Sequence, residues 1–313
     1  MSAEDKKSSK TPRWKVPWTT LGAGLVMIIG AGIFLYPHVA SWFSQLAQSK
    51  VIDSELVVFH ENTDQEEAIR EELAAAHEYN EALSSGAIYE ANANIALGSG
   101  SLAPGAMGYN ELLNETGSGF MGRLLYEDLG IDLPIYHGTS DDILLTGVGH
   151  LEGTSLPVGG KGTRSVLTAH RGLPESTLFN NLDKAEVGDI FSVTVLDEVY
   201  AYQVFEIKVI NPEDTQQILP DPDRDLMTLV TCTPLGINTH RILVTAERIY
   251  PTPEATEAAA LATPQLPHFP WWTVIIAVIV IGIGVYVWRD GYRLARIAQV
   301  ESSDETIEST GSE

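Results

Sequence analysis

Two long apolar segments, one near each end of the chain, place the strongest constraint on how it can fold. Val16 to Ser49 contains no charged residue and is most apolar from Trp18 to Tyr36, and Phe269 to Trp288 is a second uncharged run. A helix rises about 1.5 Å per residue, so about 20 apolar residues cross a hydrocarbon core of about 30 Å. The sequence therefore predicts transmembrane helices over residues 16–40 and 269–288.

The charges beside these segments predict the topology. Basic residues precede the first segment and follow the second: Lys6, Lys7, Lys10, Arg13 and Lys15 before it, and Arg289, Arg293 and Arg296 after it. Because basic flanks stay in the cytoplasm, we expect both termini to be cytoplasmic and the part of the chain between the two helices to lie outside. Residues 1–15 are then a basic cytoplasmic tail. Residues 289–313 are an acidic cytoplasmic tail, which we expect to be disordered from residue 298. The alternatives are a signal peptide cleaved after Ala40 or Ala47 and, for the second segment, a buried core helix.

The charge and the cysteine content limit the possible functions of the part of the chain between the two apolar segments. The chain has a formal net charge of −23, and Val16 to Trp288 carries 34 acidic and 11 basic residues, which argues against nucleic acid as a partner. Cys232 is the only cysteine, so an intramolecular disulfide is excluded. A free thiol outside a membrane is unusual and indicates catalysis. No residue pattern typical of a metal or cofactor site is present, and we predict neither.

The middle of the chain changes character along its length. Ile69, Leu73, Ala76 and Leu83 recur at helical spacing, so residues 41–108 are predicted to be a helical region followed by a loop. Residues 251–268 are rich in Pro, Ala and Thr and are predicted to be an extended tether.

Short apolar runs separated by Gly, Pro, Asp and Asn follow Gly119 and predict about eight strands, hence a closed barrel or a sandwich. The predicted strands are Phe120–Leu125, Asp132–Tyr136, Leu144–His150, Thr163–His170, Ile190–Leu196, Tyr200–Ile210, Met227–Cys232 and Arg241–Ile249.

The last two predicted strands have potentially catalytic side chains at the ends that would lie next to each other. Cys232 ends one strand and Arg241 begins the next, so pairing would place them side by side at a rim, where a positive charge favours the reactive thiolate. The alternative is a buried structural cysteine with a surface arginine. His170 ends an earlier strand and has a side chain suited to proton donation, although by chemistry alone His137, His150 and His240 compete with it.

Several separated runs, in this order, resemble the sortase transpeptidases and in particular class C, the pilin-polymerising branch. The similar region extends from about Tyr109 to Ile249. The runs that carry the resemblance are Ile131–Thr139, Gly149–Pro157, Leu167–Gly172 (LTAHRG), Thr228–Cys232 (TLVTC) and Cys232–Arg241. The resemblance implies a mainly β fold, an eight-stranded sortase-like barrel with short helices over residues 109–250, preceded by N-terminal helices.

The resemblance also implies roles for individual residues. Cys232 matches the nucleophile, His170 the general acid, and Arg241 the arginine that supports the oxyanion or positions the substrate. Thr231 is a candidate hydrogen-bond donor to substrate, with an ordinary strand residue as the alternative. Other arginines, namely Arg171 and Arg248, are predicted to lie on the surface.

The function implied is that of a membrane-anchored cysteine transpeptidase on the outer face of a Gram-positive cell. It would cleave an LPXTG-like sorting signal through a thioacyl intermediate and transfer the product to a pilin lysine amine. The expected partners are therefore pilins or surface proteins with C-terminal sorting signals. The alternatives are transfer to a cell-wall peptide amine and, from another class, a non-enzymatic membrane-tethered β-domain.

A lid over the active site is common in the family and uses an acidic anchor and an aromatic ring. Residues 91–108 contain neither kind of side chain. The sequence therefore predicts that this loop leaves the site open.

Overall fold

The computed structural model describes residues 13–60, 66–83, 108–264 and 266–310, with the side chains of 56–60 and 301–310 left aside. The chain divides into two compact units. The helical unit comprises Met1–Val39 and Phe269–Glu313, and the barrel unit comprises Ala40–His268. Most of the predicted lid-like loop falls on residues 84–107, outside the described part of the chain, so the expectation that it leaves the site open stays a prediction.

Two helices are long and apolar enough to cross a membrane, over Trp18–Glu55 and Trp271–Val300, as judged by length and composition. They belong to α1 (Trp18–His60) and α5 (Trp271–Thr310). The predicted disorder from residue 298 is wrong up to Thr310, because α5 continues through it. Once a helix is formed, adding residues at its end fixes few further dihedral angles, so even an acidic tail can extend it.

The barrel unit is a closed barrel of eight strands in the order β1-β2-β3-β4-β7-β8-β6-β5, which confirms the predicted fold class. The pairs β2–β3 and β4–β7 are parallel and the remaining pairs are antiparallel. The strands are β1 Phe120–Tyr126, β2 Ile131–His137, β3 Val148–His150, β4 Thr163–Thr168, β5 Ile190–Val195, β6 Glu198–Ile210, β7 Asp225–Thr233 and β8 His240–Arg248.

One predicted strand is partly wrong. The run Leu144–His150 begins inside a helix, α3 (Asp141–Thr146), and only Val148–His150 is a strand. Two aspartates in the first turn suit the positive end of the helix dipole. Gly147 ends α3 where the backbone passes β2, and a Cβ there would lie 2.7 Å from the carbonyl oxygen of Pro134.

The predicted tether is not extended throughout, because residues Glu254–Leu261 form α4. Arg123, a β1 residue with a side chain 2% exposed, holds the end of this helix. Its Nη1 donates to the carbonyl oxygens of Ala260 (2.9 Å) and Ala262 (2.7 Å). Its Nε and Nη2 donate to the Asp132 carboxylate at 2.7 and 2.8 Å. A cation at a helix C-terminus is favourable, and the paired carboxylate makes its burial tolerable.

The predicted helical region packs on the barrel. In α2 (Glu66–Ala82) Ala76 is fully buried and Ile69 and Leu73 contact the main core, as does Leu83 directly after the helix, in agreement with the predicted spacing. Earlier in the chain, the part of α1 within the barrel unit contacts two segments between strands. Gln45 Nε2 donates to Thr177 Oγ1 (3.1 Å), and Gln48 Nε2 donates to the carbonyl oxygen of Thr146 (2.9 Å).

His150 forms a buried polar network beneath the β3–β4 connection. Its Nε2 lies 2.8 Å from the carbonyl oxygen of Ser155, and its Nδ1 lies 2.9 Å from the Tyr109 hydroxyl. The carbonyl can only accept, so Nε2 carries the proton and Nδ1 accepts from tyrosine. Burial lowers the pKa of His150 to about 4, and the hydrogen bond to Ser155 opposes this shift.

This network predicts a loss of stability in mild acid. The unfolded imidazole, with a pKa of about 6.5, takes up a proton as the pH falls towards the folded-state value, whereas the folded one stays neutral. The stability due to neutral His150 is therefore present above about pH 6.5 and falls by about 2 kcal/mol by about pH 5.

His150→Gln keeps a donor and an acceptor without titrating. We expect the thermal midpoint of the detergent-purified full chain to drop less between these pH values in His150→Gln than in wild type. Equal drops in the two proteins would contradict the assignment.

Candidate active site

The antiparallel ladder between β7 and β8 brings Cys232 and Arg241 together. The two residues are direct partners in this ladder, and Thr233 faces His240 one position further on. Both Cys232 and Arg241 are half-buried, so a substrate can approach them. The side-by-side placement predicted from the sequence is what the structure has.

The parallel ladder between β4 and β7 brings His170 to the same rim. Thr168 pairs with Val230, and the Ala169 amide donates to the Val230 carbonyl oxygen at 3.3 Å. His170 follows directly and therefore lies beside the end of β7 that carries Cys232. The ring is half-buried; burial lowers its pKa below the ordinary value, and the Asp141 carboxylate opposes this. The neutral imidazole is thus favoured over the imidazolium.

The Arg241 guanidinium is oriented by the loop between β7 and β8. Its Nη1 donates to the carbonyl oxygens of Asn238 (3.0 Å) and His240 (3.1 Å). Asn238 has a φ of 59°, in the left-handed region that asparagine tolerates better than most residues. These bonds engage one nitrogen of the fork, and an arginine has five N–H donors in all.

The competing histidines occupy other environments. His137 is buried, with its ring nitrogens 3.0 and 2.8 Å from the carbonyl oxygens of Gly119 and Leu112. His150 lies in the buried network described above, and the His240 ring contacts the Thr239 hydroxyl at 2.9 Å. Among these four, His170 is the one that lies just after the end of β4, the strand paired in parallel with β7.

Thr231 faces the interior of the protein. The residue is 1% exposed, and its hydroxyl donates to the Ala169 carbonyl oxygen at 2.8 Å. This bond holds the residue before His170 against the residue before Cys232. The predicted hydrogen bond from Thr231 to substrate stays a prediction, and the geometry favours a structural role.

Two arginines predicted to be on the surface are only partly exposed. The Arg171 side chain is 9% exposed and pairs with Asp183 at 2.6 Å. The Arg248 guanidinium lies 4.7 Å from the ring centroid of Tyr200 and 5.0 Å from that of Tyr250. Neither placement follows from the periodicity of a single strand, because Asp183 and Tyr200 lie in other segments of the chain.

In the part of the chain that the structure describes, no three His, Cys, Asp or Glu side chains gather in a group that could hold an ion. The groups available are a thiol, an imidazole and a guanidinium, which suit acyl transfer.

Comparison with known proteins identifies the family to which the barrel belongs. The family model of the sortase domain matches residues 125–249, from the end of β1 to just beyond β8. The chain belongs to the sortase family. The match covers the end of β1 and all of β2 to β8, so it includes the three residues at the rim and leaves out both apolar helices.

Solved sortases share the fold at substantial sequence identity. Sortase C-1 from Actinomyces oris is 42% identical, with 58% of this chain and 98% of that one covered and a TM-score of 0.52. Sortase C1 from Streptococcus agalactiae is 36% identical, with 65% and 100% covered and a TM-score of 0.54.

A curated relative, Sortase A of Streptococcus agalactiae serotype III, is 33% identical over 130 residues, 41% of this chain. This chain spans 52% of that relative's length.

The Thr231 geometry can be tested directly. Thr231→Val keeps the shape of the side chain but leaves the Ala169 carbonyl without its donor, which we expect to cost about 1–3 kcal/mol. Thr231→Ser should recover most of this loss. The measurement is the thermal midpoint of the full chain beside the KM for a sorting peptide. A raised KM with an unchanged midpoint would instead indicate contact with substrate.

Proposed function

We propose that this sortase is a membrane-anchored cysteine transpeptidase in which Cys232, His170 and Arg241 carry the chemistry. The observation that supports this most is the meeting of the three residues at one rim, through the ladders of β7 with β4 and β8. Chain segments separated by about 60 residues would have no structural reason to present these particular side chains together. A cysteine with a purely structural role would need neither His170 nor Arg241 beside it.

The reaction proceeds in two acyl transfers. The Cys232 thiolate attacks the threonine carbonyl carbon of an LPXTG-like signal, and Arg241 stabilises the negative charge that develops on the carbonyl oxygen. The Thr–Gly bond breaks, His170 gives a proton to the departing amine, and a thioester remains. An incoming amine then attacks the thioester, loses a proton to His170, and releases the thiolate as the new amide forms.

The half-buried position of His170 bears on this proton transfer. Burial lowers its pKa, which makes the protonated ring a stronger acid towards a leaving amine and reduces the fraction of protonated ring at neutral pH. The same residue can take up a proton from the incoming amine because its neutral form is well populated. One group therefore serves both half-reactions.

The acceptor amine is proposed to be a pilin lysine. The solved relatives include Group B Streptococcus Pilus Island 1 Sortase C2, 40% identical to this chain with 99% of that chain covered. The second candidate is a cell-wall peptide amine, which the same thioester chemistry would accept. Offering both acceptors to the thioacyl enzyme and comparing product formation by mass spectrometry distinguishes them.

The proposed topology places both termini in the cytoplasm and residues 41–268 outside. It rests on the two apolar helices and on the basic residues that flank them. A catalytic unit held outside the membrane would meet its protein substrates as they emerge.

The catalytic roles predict graded losses of activity. We expect Cys232→Ala to abolish transfer and both His170→Ala and Arg241→Ala to cost at least about a hundredfold with the fold intact. His240→Ala is the matched control, because this residue is next to Arg241 and pairs with Thr233. The assay is peptide transfer by the full chain in detergent, with mass spectrometry of the Cys232 adduct. Equal damage from His240→Ala and His170→Ala, without unfolding, would reverse the assignment of the acid.

The topology predicts a protease pattern on intact protoplasts. External protease should remove the barrel unit and spare an epitope tag at either terminus, because the tags face the cytoplasm. Permeabilised protoplasts serve as the control, in which both tags should be lost. A C-terminal tag that is digested in intact protoplasts would refute the second membrane crossing.

A further inference from the structure

The segment after His170 turns back on itself and meets the loop after Cys232. The His170 carbonyl oxygen accepts from the Phe179 amide at 3.1 Å, and the Gly172 amide donates to Asn180 Oδ1 at 2.5 Å. Gly172 has a φ of 85°, and a Cβ there would lie 3.1 Å from Cγ of Leu235. The chains that leave β4 and β7 are therefore in close contact just beyond the proposed catalytic residues.

Arg171 lies within this contact and touches both chains. Its Nη1 donates to Thr233 Oγ1 at 3.4 Å, its Nε donates to the Asn180 carbonyl oxygen at 3.2 Å, and its Nη2 contacts Asp183 Oδ2 at 2.6 Å. The side chain is 9% exposed. A planar fork can serve three directions at once, whereas a lysine ammonium is a point charge on a flexible stem.

We propose that Arg171 is a positioning residue that holds His170 and Cys232 at reacting distance. Arg171 follows His170 in the sequence and is hydrogen-bonded to Thr233, which follows Cys232. Its charge is paired with Asp183, so its effect on the thiol is expected to come through geometry rather than through direct electrostatics. The inference rests on the proposed function, because positioning is defined by the reaction.

The expected effect is on turnover and not on substrate binding. A displacement of about 1 Å between reacting groups can cost about a hundredfold in rate. We expect Arg171→Ala to lower kcat by about ten- to a hundredfold while KM stays within about twofold. Arg171→Lys, which keeps the charge without the fork, should recover only a small part of the loss.

Two readouts separate positioning from a general structural role. The first is the rate of Cys232 alkylation by iodoacetamide as a function of pH, which reports the thiolate fraction and responds to a nearby imidazole. The curve of Arg171→Ala should move towards that of His170→Ala. The second is a double-mutant cycle: in the His170→Ala background, adding Arg171→Ala should change the residual rate by less than about twofold.

A matched control is available at the opposite end of β7. Arg224 precedes this strand and pairs with Glu247 at 2.6 Å, so Arg224→Ala removes a comparable ion pair far from Cys232 and should leave the alkylation curve unchanged. All variants are made in the full chain in detergent. If Arg171→Ala fails to fold, Thr233→Val is the substitute, because it removes only the hydrogen bond from Arg171 to the chain after Cys232. We expect it to lower kcat and to shift the alkylation curve in the same direction as Arg171→Ala, but by less.

The outcomes are distinguishable. An Arg171→Ala effect that persists in full without His170, or an alkylation curve identical to wild type beside a lost kcat, would overturn the positioning role. Absence of any transfer by wild type would overturn the proposed function instead. In that case the alkylation curves still test whether Arg171 sets the distance between thiol and imidazole.

Discussion

Strand β7 hydrogen-bonds to β4 in parallel and to β8 in antiparallel register, and the rest of the site follows from these two ladders. They bring the end of β4 to the same rim as the two consecutive strands β7 and β8. Met227 and Leu229 are fully buried in the main core, and a slip of one residue would turn them to the opposite face of the sheet. The core that fixes the register therefore also fixes which side chains meet at the rim.

The local pattern of the sequence was sufficient for most of the barrel and for the facing positions of Cys232 and Arg241, because strand alternation and turn residues are local signals. It was insufficient where a short apolar run fits either structure, as at Leu144, which lies in a helix. It also missed α4, because so short a helix forms only with a tertiary partner, here Arg123, which lies far away in sequence.

The contacts of polar groups around the site could not be predicted from the sequence pattern for a related reason. An arginine is expected on the surface unless it is paired. The residues next to Arg171 in the sequence do not indicate that Asp183 and Thr233 are its partners. The same holds for the Thr231 hydroxyl, whose acceptor is the carbonyl of Ala169. The assignment of His170 over the other histidines rested on family resemblance, and the register of β4 with β7 now supplies a geometric argument for it.

The docking of α4 has a mechanical consequence. The chain leaves β8 and is held at Ala260 and Ala262 by Arg123 of β1, before it reaches the second apolar segment. Tension applied beyond residue 268 therefore loads the hydrogen bonds to β1 before it reaches β8, the strand that carries Arg241. Such a pull is therefore taken up first on β1, and Arg241 at the rim is shielded from it.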